Sequence, residues 1–190
     1  MANKAKYYES QFEEATIELL RETHWQYTFG DDIHRKYTDP LIEGDLRNFL
    51  AAQYKDKDLT PSEMDGIVAN LRNTGGQNDY YALQNTFLLY RDGYDFTYSD
   101  GRDNPFRLQY IDFEHPDHNI FRCVNQFVME QGRENRRPDI LLFVNGIPVC
   151  IIELKNPTKQ NATIRDAHTQ ICTRYMLSLI HISEPTRRTP

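Results

Sequence analysis

Three charged residues stand where the surrounding sequence is apolar. In RPDILLFVNGIPVCIIELK, residues 137–155, Asp139 opens one hydrophobic run, and Glu153 and Lys155 close the next. Two converging carboxylates repel each other, and a divalent cation removes that repulsion. Their hard oxygen donors suit Mg²⁺, with the Leu154 carbonyl as a further oxygen ligand. An ion held there would serve phosphodiester hydrolysis as Lewis acid, water activator and template. Lys155 would neutralise developing charge or help deprotonate the water. The competing reading is a structural ion pair, in which Lys155 bridges Asp139 or Glu153. For a bare Glu-x-Lys that reading is the ordinary one.

The elements around these residues favour chemistry. Side chains alternate across a strand, so Ile151, Glu153 and Lys155 share one face. Unpaired charges on a core face are costly. Asn145-Gly146 is a strong two-residue hairpin signal, because its primed turn needs positive φ at both positions. That turn pairs residue 144 with 147, so 139 is expected to face about 152. Asp139 then lies across the ladder from the Glu153 region, within reach of a shared ion. Pro138 precedes Asp139, and Glu153-x-Lys155 follows fourteen residues on.

The rest of the chain reads as helices, then strands, then a helix. Residues 7–22 carry Tyr8, Phe12, Ala15, Ile17, Leu19 and Leu20 between acids, an amphipathic helix. Residues 24–32 suggest a short strand and turn, and 43–54 a second helix. Residues 59–73 suggest a third helix, capped by Thr60 or Ser62 with Pro61 in its first turn. Residues 75–78 read as a loop. Residues 79–93 suggest a fourth helix, ended by Gly93. Period-two patterning follows in YDFTYS, FRLQYIDFE, IFRCVNQFVMEQG, DILLFVNG and IPVCIIELK, an antiparallel run of strands. Residues 163–176 read as a helix with Thr163 as its cap. This order makes an α+β protein.

The sequence resembles the N-terminal nuclease domain of the restriction subunit (HsdR-type) of type I restriction–modification enzymes, a member of the PD-(D/E)xK superfamily. RPDILLFVNGIPVCIIELK resembles that family's core hairpin, and YYESQFEEATIELL its opening helix. LQNTFLLYRDGYDFTY, IDFEHPDHNIFRCVNQF and ATIRDAHTQICTRY resemble its intervening elements. Coverage is residues 7–176. The resemblance implies a restriction-endonuclease-like core, a mixed central sheet flanked by helices. It implies Asp139 and Glu153 as Mg²⁺ ligands and Lys155 as the catalytic lysine. A glutamate of the first helix usually approaches such a site. Glu13 is the choice here, with Glu9 one turn earlier on the same face. Gln126 either faces the site from a neighbouring strand or forms a cross-strand amide pair. Gln170 matches the glutamine of the family's Gln-x-x-x-Tyr motif. Tyr175 follows at five residues instead of four, which turns it about 140° from Gln170 on a regular helix instead of about 40°.

The implied activity is Mg²⁺-dependent cleavage of unmodified double-stranded DNA by a type I site-specific deoxyribonuclease. The implied partners are methylation and specificity subunits. ATP belongs to a translocase region, whose G-x-x-x-x-G-K-S/T motif does not occur in these residues. Two alternatives stand beside this reading: a noncatalytic interaction module on a nuclease fold, and a stand-alone nuclease of another restriction or repair system. The complete Asp139, Glu153, Lys155 set disfavours the first. The acidic balance disfavours the second.

The net charge of −6 argues against a free-standing nucleic-acid binder, which usually shows a basic face. No 18-residue apolar stretch suggests a membrane span. The three cysteines, Cys123, Cys150 and Cys172, lack metal-ligand spacing and suggest small buried thiols in a reduced, cytoplasmic protein. His24, His34, His115, His118 and His168 lack zinc-like spacing and suggest surface or turn roles. The aromatic residues from Tyr80 to Tyr98 suggest core packing more than base stacking. Residues 177–190, LSLIHISEPTRRTP, resemble the in-frame translation of a sequencing-library transposase adapter through Arg187. They are expected to be a non-native, disordered tail on a fragment of 1–176 whose gene continued further.

Overall fold

A computed structural model describes residues 2–74, 79–102, 105–131 and 134–154. Lys155, the helix expected over 163–176 with Gln170 and Tyr175, the 75–78 loop, Cys172, His168 and the 177–190 tail lie outside the described residues. So does the Glu9 side chain.

Four helices and eight strands are present among the described residues. Helix α1 spans Ala2–Glu22 and leads to β1, Gln26–Phe29. Helix α2 spans Glu43–Gln53, α3 Pro61–Arg72 and α4 Asp79–Asp92. Strands β2, Tyr94–Phe96, and β3, Phe106–Leu108, form a small antiparallel ribbon. Strand β4 spans Phe121–Asn125, β5 Met129–Gln131 and β6 Glu134–Arg136. Strand β7 spans Ile140–Val144 and β8 Ile147–Ile152.

Local chemistry sets the helix boundaries. Thr60 is the cap of α3: its hydroxyl accepts from Glu63 N–H, and the Glu63 carboxylate accepts from Thr60 N–H. This reciprocal box satisfies two otherwise orphaned donors. Helix α1 ends where His24 turns left-handed at φ 71°. Trp25 N–H then returns to Leu20 O and His24 N–H to Arg21 O, closing the last carbonyls. Gly93, at φ 65°, ends α4, and a Cβ there would sit 1.9 Å from Leu108 O.

The strands do not form one antiparallel run. The central sheet is mixed, in the order β1-β4-β7-β8, and β1 runs parallel to β4. The stretch expected as one strand over 120–132 is broken at Gln126, whose φ of 55° takes the chain out of the ladder. It resumes as β5, which pairs with the unexpected β6. The predicted FRLQYIDFE strand keeps only β3.

Three apolar clusters surround the sheet. Leu46, Phe49 and Leu50 of α2 pack with Ile67, Val68 and Leu71 of α3, and with Phe96, Leu108 and Tyr110. Ile42, Val124, Phe127, Met129, Leu141 and Phe143 make a second cluster, with Ile33 and Ile151 at its edge. Ile17 of α1 packs on Cys123, Ile140 and Leu142, with Leu20 and Trp25 alongside. Phe12 and Leu19, expected on the buried stripe of α1, are 48% and 61% exposed. The docked face instead runs Glu13, Ile17, Leu20, a clean i, i+4, i+7 spacing. The aromatic stretch also divides. Phe96 is buried in the helical cluster, whereas Tyr80, Tyr81 and Phe87 of α4 are exposed.

The hairpin between β7 and β8 has a buried turn. Asn145 and Gly146 take φ of 52° and 74°, as the sequence predicts. Asn145 is fully buried, and its Oδ1 accepts from Ile120 N–H at 2.7 Å. Its Nδ2 donates to Tyr110 O at 2.9 Å and to Asn119 Oδ1 at 2.8 Å. Gly146 O accepts from Ile42 N–H at 2.9 Å. A Cβ on Gly146 would lie 2.1 Å from Ile42 O, so the turn has no room for a side chain.

Asn145→Ala removes three hydrogen bonds around the buried turn at once. It should lower unfolding stability by about 3–5 kcal/mol, read from urea midpoints. Asn145→Gly, which keeps the turn's φ, should lose nearly as much. A glycine variant as stable as wild type would show that the side-chain bonds contribute little.

Candidate active site

The candidate residues lie at the open end of the β7–β8 hairpin, opposite its buried turn. Near the turn the register is as expected, with Val144 opposite Ile147 and Phe143 opposite Pro148. It then shifts by one residue, so that Leu142 faces Cys150, Leu141 faces Ile151 and Ile140 faces Ile152. Pro148 falls at a non-hydrogen-bonded pair of the edge strand, where the ladder does not call on its missing N–H. Val149 and Cys150 are consecutively exposed, the mark of a bulge.

This bulge corrects the expected pairing of Asp139. Extending the ladder by one residue sets Asp139 opposite Glu153, not Ile152. The hydrogen bond from Leu154 N–H to Asp139 Oδ2, at 2.7 Å, fits that placement. The correction matters because side chains alternate. Without the bulge the two carboxylates would fall on opposite faces. With it, the ladder carried one residue past β7 and β8 would put them on the face of Leu141 and Ile151. Both side chains are half-buried, and Oε1 of Glu153 is shielded from solvent. The bulge also corrects one cysteine: Cys150 is exposed, while Cys123 is buried.

Glu13 and Gln126 meet at the end of β4. Docking through Ile17 carries Glu13, one turn earlier, to that strand end. Its Oε1 accepts from Asn125 Nδ2 at 2.8 Å and from Gln126 Nε2 at 3.3 Å. The left-handed backbone of Gln126 turns it toward α1 instead of into a regular cross-strand amide pair. Asn125 faces Ile140, the residue after Asp139, so both groups sit at one end of the sheet.

Two further residues belong to this end and were not expected from sequence. Asn125 links Glu13 to Tyr27, whose hydroxyl donates to Asn125 Oδ1 at 3.0 Å. The Tyr27 phenol is raised above its usual range, first by partial desolvation and then by the Glu13 charge. Asn125 lies beside Gln126 in NQF, which was the available signal. Nothing local marks Tyr27, because its contact spans 98 positions.

A cleft of about 670 Å³ opens beside the Ile33 and Ile42 edge of the second cluster. Arg35, Lys36 and Arg72 are among its lining residues. The Arg35 guanidinium stacks 3.4 Å over the Phe127 ring and donates to Val128 O. Burial lowers its pKa to about 10, which leaves it charged at neutral pH. Arg72 bridges Asp39 and Glu43.

Comparison with known proteins gives a consistent picture. Residues 6–183 match the model of the family described as type I restriction enzyme R protein N terminus. The HindI type I restriction enzyme endonuclease subunit of Haemophilus influenzae is 28% identical over 171 residues, covering 85% of this chain and 16% of that protein. The MjaIXP type I restriction enzyme endonuclease subunit of Methanocaldococcus jannaschii is 28% identical over 163 residues, covering 82% and 16%. The chain therefore spans about a sixth of the length of these relatives.

Glu13→Gln should shift the Tyr27 titration down, toward its ordinary range. The charge contribution disappears and the desolvation contribution remains. Ring resonances of Tyr27 followed against pH would show this. An unmoved midpoint would mean that Glu13 does not act on Tyr27.

Proposed function

The chain belongs to the family of type I restriction enzyme R protein N-terminal domains, and we propose that it is the DNA-cutting domain of such an enzyme. The observation that carries this reading is the hydrogen bond from Leu154 N–H to Asp139 Oδ2 beside the bulged β7–β8 register, whose next row would be Asp139 and Glu153. Two half-buried carboxylates on one face form a donor set suited to a hard divalent cation. Asp139, Glu153 and the Leu154 carbonyl would hold Mg²⁺. When bound, it would supply Lewis acidity and charge neutralisation at a scissile phosphate.

The chain's own residues would do the rest. Lys155 follows Leu154 directly and would offset charge developing on the phosphate or help move a proton from the attacking water. Glu13, held by Asn125 and Gln126, would add a carboxylate at the same sheet end. Gln170 would support the site from the following segment. This proposed core is of the PD-(D/E)xK type. The reaction is hydrolysis of phosphodiester bonds in unmodified double-stranded DNA. Methylation and specificity subunits would choose the site, and an ATP-driven region elsewhere in the parent protein would bring DNA to it. Arg35 and Lys36 give the neighbouring cleft positive groups for a DNA backbone. Among the described residues no helix is long and apolar enough to cross a membrane.

In the full-length parent protein, Asp139→Ala and Lys155→Ala should each lower DNA cleavage by more than about 100-fold while ATP hydrolysis persists. Normal cutting by both variants would sink the assignment. In the present chain, Mn²⁺ titration followed by calorimetry should show binding that Glu153→Ala weakens.

A further inference from the structure

Away from the hairpin carboxylates, one loop gathers oxygen and nitrogen donors that the sequence reading set aside. Asp112, His115 and His118 each place one ligand atom within 4.8 Å of the others. They are spaced D-x-x-H-x-x-H around a single 3-10 turn, Pro116–His118. Asp112 is buried, whereas the side chains of His115 and His118 are 61% and 51% exposed.

The two Asp112 oxygens have different tasks. Oδ1 accepts the N–H groups of Glu114 at 3.0 Å and His115 at 2.9 Å, which folds the loop back. Oδ2 accepts from Gln53 Nε2 at 3.1 Å. The same Oδ2 faces Nδ1 of His118 at 3.1 Å and Nδ1 of His115 at 3.6 Å. The imidazole rings stack, with centroids 4.9 Å apart and planes 19° apart. One histidine suffices for a hydrogen-bonded turn. The second nitrogen, at 3.6 Å, is beyond a hydrogen bond and is nevertheless turned to the same oxygen.

We propose that Asp112, His115 and His118 bind a divalent transition-metal ion of the zinc class, through Asp112 Oδ2 and the two Nδ1 atoms. Tetrahedral zinc with ligand bonds of about 2.0–2.1 Å sets its ligand atoms about 3.3–3.4 Å apart. The observed 3.1 Å and 3.6 Å bracket that spacing. Two imidazole nitrogens select zinc-like ions over Mg²⁺, so this site and the hairpin carboxylates draw on different metals. Gln53 and the two backbone N–H groups orient the carboxylate, as partners of a ligand should. The exposed imidazoles leave the fourth position to water.

The role is to brace the loop. Asp112 N–H donates to Asn119 Oδ1 at 2.9 Å, and Asn119 Nδ2 returns to Asp112 O at 2.7 Å. That same Asn119 oxygen receives Asn145 Nδ2. An ion tying Asp112 to the turn that follows would stiffen the cradle of the hairpin turn.

The test uses the chain with Asp139→Asn and Glu153→Gln, which removes the hairpin carboxylates as competing ligands. Zinc chloride is titrated calorimetrically, and cobalt(II) by visible absorption. The expected result is one ion per chain, a tetrahedral cobalt spectrum and a higher melting temperature with zinc. Adding His115→Ala and His118→Ala should weaken zinc by at least about 100-fold and abolish the melting shift. The metal-free melting temperature should fall by no more than about 4 °C, since the double substitution removes one half-exposed hydrogen bond and a surface ring stack. The two histidine substitutions in the otherwise unsubstituted chain should remove the same binding event. Absence of zinc binding before the histidines are changed, or equal affinity after, would overturn the proposal.

Discussion

The Asn145 side chain is surrounded by protein on every side, and most of the architecture meets there. Its amide closes the hairpin turn onto Ile120, Tyr110 and Asn119, while Gly146 O takes the N–H of Ile42 just ahead of α2. Hairpin turns ordinarily lie in solvent, where water satisfies their backbone. A turn with no access to water needs protein partners for each polar group. The result is a fixed point shared by the sheet, α2 and the 110–119 loop. Anchored at the turn, the hairpin holds its other end in a defined position, and that end carries Asp139 and Glu153.

Between anchor and site lies the bulge after Pro148. A bulge normally weakens a ladder locally. Here it adds a single residue to one strand, and the proposed site depends on the register that results. The cost is two exposed positions, Val149 and Cys150, at the edge of the sheet. The face they leave is apolar, packed by Leu141, Ile151 and the Phe127–Phe143 pair. Carboxylates beside such a face are poorly solvated, and a proposed cation would relieve both their repulsion and their desolvation.

Helix α1 brings Glu13 to the same end of the sheet by an independent route. Ile17 and Leu20 dock on Cys123, Ile140 and Leu142, and the helical repeat then sets Glu13 over the end of β4. The break in β4 at Gln126 turns an amide toward that carboxylate. Asp45, from α2, grips Arg122 on the same strand at 2.6 Å, and Arg122 reaches Thr28 of β1 at 2.6 Å. Strand β4 is thus held from both neighbours, which fixes the position of the Asn125–Glu13 contact.

Much of this was legible in the residues alone. The four helices follow from apolar spacing, the Thr60–Glu63 box and Gly93. The hairpin follows from Asn-Gly, and the family from RPDILLFVNGIPVCIIELK. These signals are local, because capping, turn conformation and periodicity are decided within a few residues. Other features depended on residues far apart. The bulge that shifts Leu142 onto Cys150 reflects how β8 settles against β7. The face of α1 that carries Glu13 is chosen by which side chains the sheet can bury, not by which are most apolar: Phe12 and Leu19 stay outside. The convergence of His115 and His118 on Asp112 needs Gln53 and Asn119 to hold the loop. Sequence determined the helices, the hairpin and the chemical groups. Tertiary packing decided register and facing, because those depend on the pairing and burial that the assembled sheet permits.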